Sequence, residues 1–270
     1  MHAKGSHRNQ PWDFFLLVFV LSVPLWLISA ALGNELPIPI NLPISMFLFV
    51  NPVVAASILL YRRSGPRAVL ELLKRTFDFR RTKNALWYVP ALLLVPAATF
   101  LSYLVMRLTE APLPDRIDVP FLLAPLLFLA FFIGAACEEL GWSGYAIDPL
   151  QERWGALAAA VLVGLVWQVW HFIGDLQADH TVAWIVWHSL YSIALRVLIV
   201  WIYNNTGKSV FAAILVHTTD NVSWALFPNF GSHYDPFILL TITALVAAMV
   251  TLLWGPKTLS RFRYAPAGRE

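Results

Sequence analysis

Stretches of about twenty predominantly apolar residues recur eight times along the 270-residue chain, at 12–33, 43–61, 84–106, 120–145, 156–173, 182–203, 210–227 and 236–254. A helix of that length crosses a hydrocarbon core about 30 Å thick, so the bilayer is the expected solvent. The backbone must then satisfy its own hydrogen bonds within each segment. The expected fold is an all-α, polytopic, eight-helix transmembrane bundle in which residues 1–270 form a single transmembrane domain. Composition agrees: 59% of the residues are hydrophobic and 13% charged, whereas soluble domains carry about 25% charged residues. Ser29-Ala30-Ala31 places small residues near the end of the first stretch, as a signal peptide would. Its apolar run nevertheless exceeds the roughly 7–15 residues of a signal core, and a retained helix is expected.

Positive charge sets the orientation. With the amino terminus in the cytoplasm, the inside segments hold Lys4, Arg8, Arg62, Arg63, Arg67, Lys74, Arg75, Arg80, Arg81, Lys83, Arg153, Lys208, Lys257, Arg261, Arg263 and Arg269. Only Arg107 and Arg116 fall outside, and Arg196 lies within a span. Such an asymmetry follows the positive-inside rule, and an even number of crossings makes both termini cytoplasmic. Between the second and third stretches, Leu70, Leu73 and Phe77 recur at helical spacing opposite Arg67, Lys74 and Arg75. That pattern predicts a short interfacial helix over 66–79 on an anionic inner leaflet. A single cysteine, Cys137, rules out an intrachain disulfide. No phosphate-binding glycine loop or zinc ribbon is present, and nucleic-acid binding has no support.

Against this apolar background the polar residues are few. Glu138 and Glu139 sit side by side near the end of the fourth stretch, where an ionised carboxylate costs about 2.5–3.5 kcal/mol and is a functional-site hypothesis by default. The fifth stretch carries Trp167, Gln168 and His171, the sixth His188 and Arg196, the seventh His217, Asp220 and Asn221. His217 and Asn221, four apart, share one helix face, whereas His188 reads as a packing residue. Adjacent helical residues point about 100° apart, so one glutamate is expected to do chemistry and the other to pair with a donor. Two histidines, an asparagine and a carboxylate can activate water and hold an oxyanion. Glu138, His171 and His217 could alternatively ligate zinc, which needs three protein ligands and an open position, although no His-Glu-x-x-His helix is present.

Here the chain resembles the CPBP family of intramembrane proteases (CAAX prenyl endoprotease and bacteriocin-processing, or Abi). The family pattern is Glu-Glu-x-x-x-Arg, an aromatic residue four before a His, and His-x-x-x-Asn or Asp. The sequence supplies Glu138-Glu139-Leu140-Gly141-Trp142-Ser143, Trp167-x-x-x-His171 and His217-x-x-x-Asn221 in that order, with a family-like catalytic core at about 120–224. The resemblance implies an intramembrane endopeptidase in which Glu138 activates water, His171 positions it, and His217 and Asn221 stabilise the oxyanion. Glu139, Arg196 and Trp167 are expected as supporting residues. It further implies a peptide or protein substrate at the lipid bilayer, no cofactor unless zinc is used, residence in a bacterial inner membrane, and an active-site cavity facing the cytoplasm. Alternative readings are a catalytically weak member acting as an immunity or scaffold protein, and a proton- or ion-coupled transporter. The departure is Ser143 in place of Arg, which leaves the charge of Glu139 without its motif partner. Arg196, about 12 Å from the cytoplasmic end of the sixth helix, is expected to take over by pairing with Glu139 or Glu138, unless it snorkels or pairs with Asp220. One member fits poorly: with straight helices Glu138 lies about 10 Å above the cytoplasmic end and His171 about 22 Å. A turn and helix over 148–157 would bring them level.

Overall fold

A computed structural model describes residues 11–32, 44–119, 121–260 and 262, and the described residues form helices without a strand. The α-helices in chain order are α1 (Pro11–Leu32), α2 (Asn51–Ser64), α3 (Pro66–Lys74), α4 (Tyr88–Leu108), α5 (Ala124–Gly141), α6 (Ile147–Trp154), α7 (Ala156–Gln177), α8 (Val182–Asn205), α9 (Val210–Leu226) and α10 (Pro236–Trp254). Among the described residues six segments are long and apolar enough to cross a membrane: Pro11–Ala31, Ala85–Leu108, Phe121–Trp154, Ala156–Gln177, Val182–Asn205 and Pro236–Trp254. The chain is therefore an all-helical, membrane-spanning protein, but length and composition do not by themselves reproduce eight crossings. The expected second span is divided into a 3₁₀ segment, Ile44–Val50, and α2, whose last turn carries Arg62 and Arg63. The expected seventh is α9, 17 residues long, or about 25 Å. The basic residues Lys4, Arg8, Arg261, Arg263 and Arg269, on which the placement of both termini rested, lie outside the described residues, as do Gly33, Pro43 and Pro120.

Local chemistry explains the boundaries. Gly65 and Gly155 take φ of 77° and 81°, conformations that glycine adopts at little cost, and each ends one helix where the next begins. Thr181, Ser209 and Asp235 cap α8, α9 and α10 by accepting from Trp184 N, Ala212 N and Phe237 N, as short oxygen-bearing side chains do for orphan amides. Helix α5 does not stop near Tyr145: it passes through a π-helical turn, Trp142–Ala146, straight into α6. Glu138 thus stands seventeen residues before Gly155 and His171 sixteen after it, roughly 25 Å along each leg. The expected helix over 148–157 is present as α6, and it removes the depth mismatch.

Helix α8 is the central post. In its most apolar window 61% of the residues are buried, against 17% for the long helix over 121–154, and it packs chiefly on α7 and α10. Helix α5 packs on α2 and α9, and α4 on α9. Small residues permit the closest approaches, the usual device where lipid supplies no hydrophobic drive between helices. A Cβ on Gly164 of α7 would lie 3.1 Å from Ile193 Cα and 3.2 Å from Arg196 Cβ, so this glycine admits the stretch of α8 that carries Arg196. The predicted helix is present as α3, Pro66–Lys74, followed by a 3₁₀ turn over Arg75–Phe77, with Leu70, Leu73 and Phe77 exposed. Arg75 departs from the expected outer face: it turns inward, donating to the carbonyls of Gly144 (2.9 Å) and Lys208 (2.8 Å). Asp78 accepts from Ser209 Oγ and from the amides of Val210 and Phe211, clasping the amino end of α9.

The tightest of these approaches is at Gly141, where an added Cβ would lie 2.7 Å from Pro52 Cβ and 2.8 Å from Pro52 O. Gly141→Ala should therefore separate α5 from α2 and lower stability by about 1–3 kcal/mol, the range for overpacking, read as a fall in the thermal midpoint in detergent. An unchanged midpoint would show that α2 moves freely.

Candidate active site

Four helices deliver the polar residues to one place. Glu138 and Glu139 come from α5, Trp167 and His171 from α7, Arg196 from α8, and His217 and Asn221 from α9. Glu138, His171, His217 and Asn221 all line a single cavity of about 420 Å³, together with Trp167.

The two carboxylates are in different environments, as their 100° separation requires. Glu139 is fully buried. Its Oε2 accepts from Arg196 Nη1 at 2.8 Å and from the Ser143 hydroxyl, and its Oε1 lies 3.0 Å from His217 Nδ1. Arg196 is thus the counter-ion supplied across helices, while Ser143, at the place of the motif arginine, contributes one hydroxyl. Neither snorkelling nor the pairing with Asp220 occurs: Arg196 is fully buried, and Asp220 accepts from the Tyr191 hydroxyl. Glu138 faces the cavity, and its Oε2 accepts from the indole Nε1 of Trp167 at 2.7 Å.

Hydrogen-bond logic fixes the tautomers. A carboxylate or carbonyl oxygen only accepts. His217 therefore donates from Nδ1 to Glu139, and His171 donates from Nδ1 to the Trp167 carbonyl at 2.9 Å, which leaves each Nε2 uncommitted. Trp167 is the hub. Its ring meets those of His171 and His217 edge-on, both at 5.2 Å, and the Arg196 guanidinium lies over its face at 4.3 Å. A desolvated cation–π contact of this kind is worth about 2 kcal/mol.

The cavity extends beyond these residues. It is also lined by Ala178, His180, Trp184 and Tyr234, which come from the turn between α7 and α8, the amino end of α8 and the loop before α10. It therefore runs from the glutamates toward the end of the bundle opposite Arg75 and Lys208. His188, expected as a packing residue, lines the cavity, with Nδ1 3.7 Å from Asp175 Oδ2. Sequence reasoning missed Asp175, His180, Trp184 and Tyr234 as lining residues. Their one signal was polar and aromatic residues clustered about the short turn between α7 and α8. On zinc, no three His, Cys, Asp or Glu side chains are gathered as ligands among the described residues.

Comparison with known proteins bears out the resemblance read from the motifs. Residues 120–223, which hold every side chain named in this site's core, match the family described as type II CAAX prenyl endopeptidase Rce1-like. Over 175 residues the chain is 29% identical to CAAX prenyl protease 2 of Methanococcus maripaludis, covering 62% of this chain and 64% of that protein. The chain thus spans somewhat under two thirds of the curated relative's length.

The buried pair carries a direct test. Removing one partner of such a pair strands a charge and costs about 3–5 kcal/mol. Glu139→Gln and Arg196→Gln should each destabilise on that scale, and the double variant by clearly less than their sum. Strictly additive losses in denaturant unfolding would contradict the pairing.

Proposed function

We propose that the chain is an intramembrane endopeptidase acting on a peptide or protein held at the membrane. The observation that carries this reading is the delivery of Glu138, His171, His217 and Asn221 from three helices to one cavity, with Glu138 fixed by an indole N–H. Glu138 takes a proton from water that His171 Nε2 positions, and the hydroxide attacks the scissile carbonyl. Asn221 donates to the resulting oxyanion. His217 can donate there from Nε2 only as the imidazolium, since its Nδ1–H is committed to Glu139, and the oxyanion then faces that charge. Glu138 then returns the proton to the leaving amine. The ground for a catalytically weak member was the missing motif arginine, and the Arg196–Glu139 pair weakens it. Among candidate substrates, the family resemblance and the name of the archaeal relative favour a prenylated CAAX peptide, with a leader-containing peptide as the comparison.

Glu138→Gln retains shape and hydrogen bonding but removes the base, and cleavage should fall by at least about 10²–10⁴. Asn221→Ala should cost about 10²–10³, the scale for one oxyanion donor. Cleavage retained in Glu138→Gln would move the base elsewhere. In this reading no cofactor takes part, so a chelator should leave the rate unchanged; inhibition reversed by zinc would favour metal ligation by Glu138, His171 and His217.

The reading includes eight crossings in a bacterial inner membrane, with the 44–64 segment and α9 completing the six longer spans and with cytoplasmic termini. It is supported by the basic residues gathered at one end. In a Cys137→Ser background, Arg67→Cys should be shielded from an impermeant thiol reagent added outside intact cells, and Arg116→Cys labelled. The reverse pattern would invert the topology.

A further inference from the structure

We propose that Arg196 is a positioning residue for Glu138, acting through Trp167, in addition to neutralising Glu139. The inference rests on the endopeptidase reading and goes beyond it by assigning a side chain that no motif contains. An indole N–H lies in the plane of its ring, so whatever fixes that plane fixes the direction of the hydrogen bond to Glu138 Oε2. The Trp167 ring is held on its face by the Arg196 guanidinium at 4.3 Å and against the edges of the His171 and His217 rings. Arg196 is held in turn by Glu139 through Nη1, and Gly164 brings its backbone close to α7. One guanidinium therefore couples the buried carboxylate to the cavity carboxylate along the path Glu139, Arg196, Trp167, Glu138.

A charge alone would not do this. Lysine could pair with Glu139, but its compact ammonium lacks the planar face that stacks on an indole. If Arg196 merely neutralises Glu139, lysine should suffice. If it sets the Trp167 plane, lysine should preserve folding and damage the chemical step, since a misplacement of about 1 Å can cost on the order of 10² in rate.

The experiment is a cycle on Arg196→Lys and Trp167→Phe, read in kcat and KM on a prenylated peptide and in the rate at which a hydrophobic carbodiimide modifies Glu138, followed by mass spectrometry. Arg196→Lys should melt within a few degrees of wild type, lower kcat by about 10–10² with KM little changed, and speed modification of Glu138 several-fold. Trp167→Phe, which keeps an aromatic face and removes the N–H, should do the same. The double variant should be little worse than the poorer single. Wild-type kcat and labelling in Arg196→Lys, or fully additive losses, would overturn the proposal. Should Arg196→Lys fail to fold, the relocation variant Ser143→Arg with Arg196→Gln restores a charge beside Glu139 without the stack, and its full recovery of labelling and kcat would also overturn it. The labelling requires no substrate, so it decides even if neither peptide is cleaved. Cleavage surviving in Glu138→Gln would instead sink the assignment of the base while leaving the labelling result to stand.

Discussion

A carboxylate with no access to solvent is the constraint from which the rest of the bundle follows. Glu139, fully buried in a chain that lipid surrounds, cannot stay ionised without partners. Those it has come from three directions: Arg196 on α8, His217 on α9 and Ser143 one turn along its own helix. Meeting that demand ties three helices together at one level and, as a by-product, orients the imidazole of His217. Such a cluster is a poor source of net stability compared with apolar packing. Its value lies in specificity: few arrangements of α5, α8 and α9 satisfy the charge, and those that do bring the cavity residues into register.

The adjacent glutamates show how one helix turn separates structure from chemistry. Glu139 looks into the bundle, toward fixed partners. Glu138 looks into a cavity that no Lys or Arg side chain lines among the described residues, with a single indole N–H on one oxygen. A carboxylate so lightly held is available for proton transfer in a way that its neighbour is not. The division rests on Trp167, whose N–H, carbonyl and ring serve Glu138, His171, His217 and Arg196 at once.

Much of this was legible in the sequence, and the limits are physical. Apolar run length gave the helical, membrane-spanning class, because span length is set by the bilayer. Motif order gave the four cavity residues, and the lone intramembrane arginine gave the partner of Glu139, since an unpaired buried charge must be answered. The sequence did not show that α5 continues through a π turn to Trp154, because residues 142–154 mix apolar and polar side chains, and the polar ones suggested a break. The course of the cavity was also hidden, for it depends on side chains brought in from the α7–α8 turn and the loop before α10. Trp167 was visible as an aromatic residue, but not as a hydrogen-bond donor, a role that only the side-chain orientation reveals.

The long hairpin formed by α5, the π turn, α6 and α7 turns at Gly155, and Glu138 and His171 are almost equally far from that turn. Glu138 and His171 therefore ride on two legs of one object. A tilt or vertical slide of the hairpin, as a thicker or thinner bilayer would impose, carries both by nearly the same amount and preserves their spacing. His217 and Asn221 stand on α9, joined to the hairpin by the contact of His217 with Glu139. The amino end of α9 is held in addition by Asp78. In mechanical terms the hairpin is one jaw of the site and α9 the other, pinned to it at Glu139.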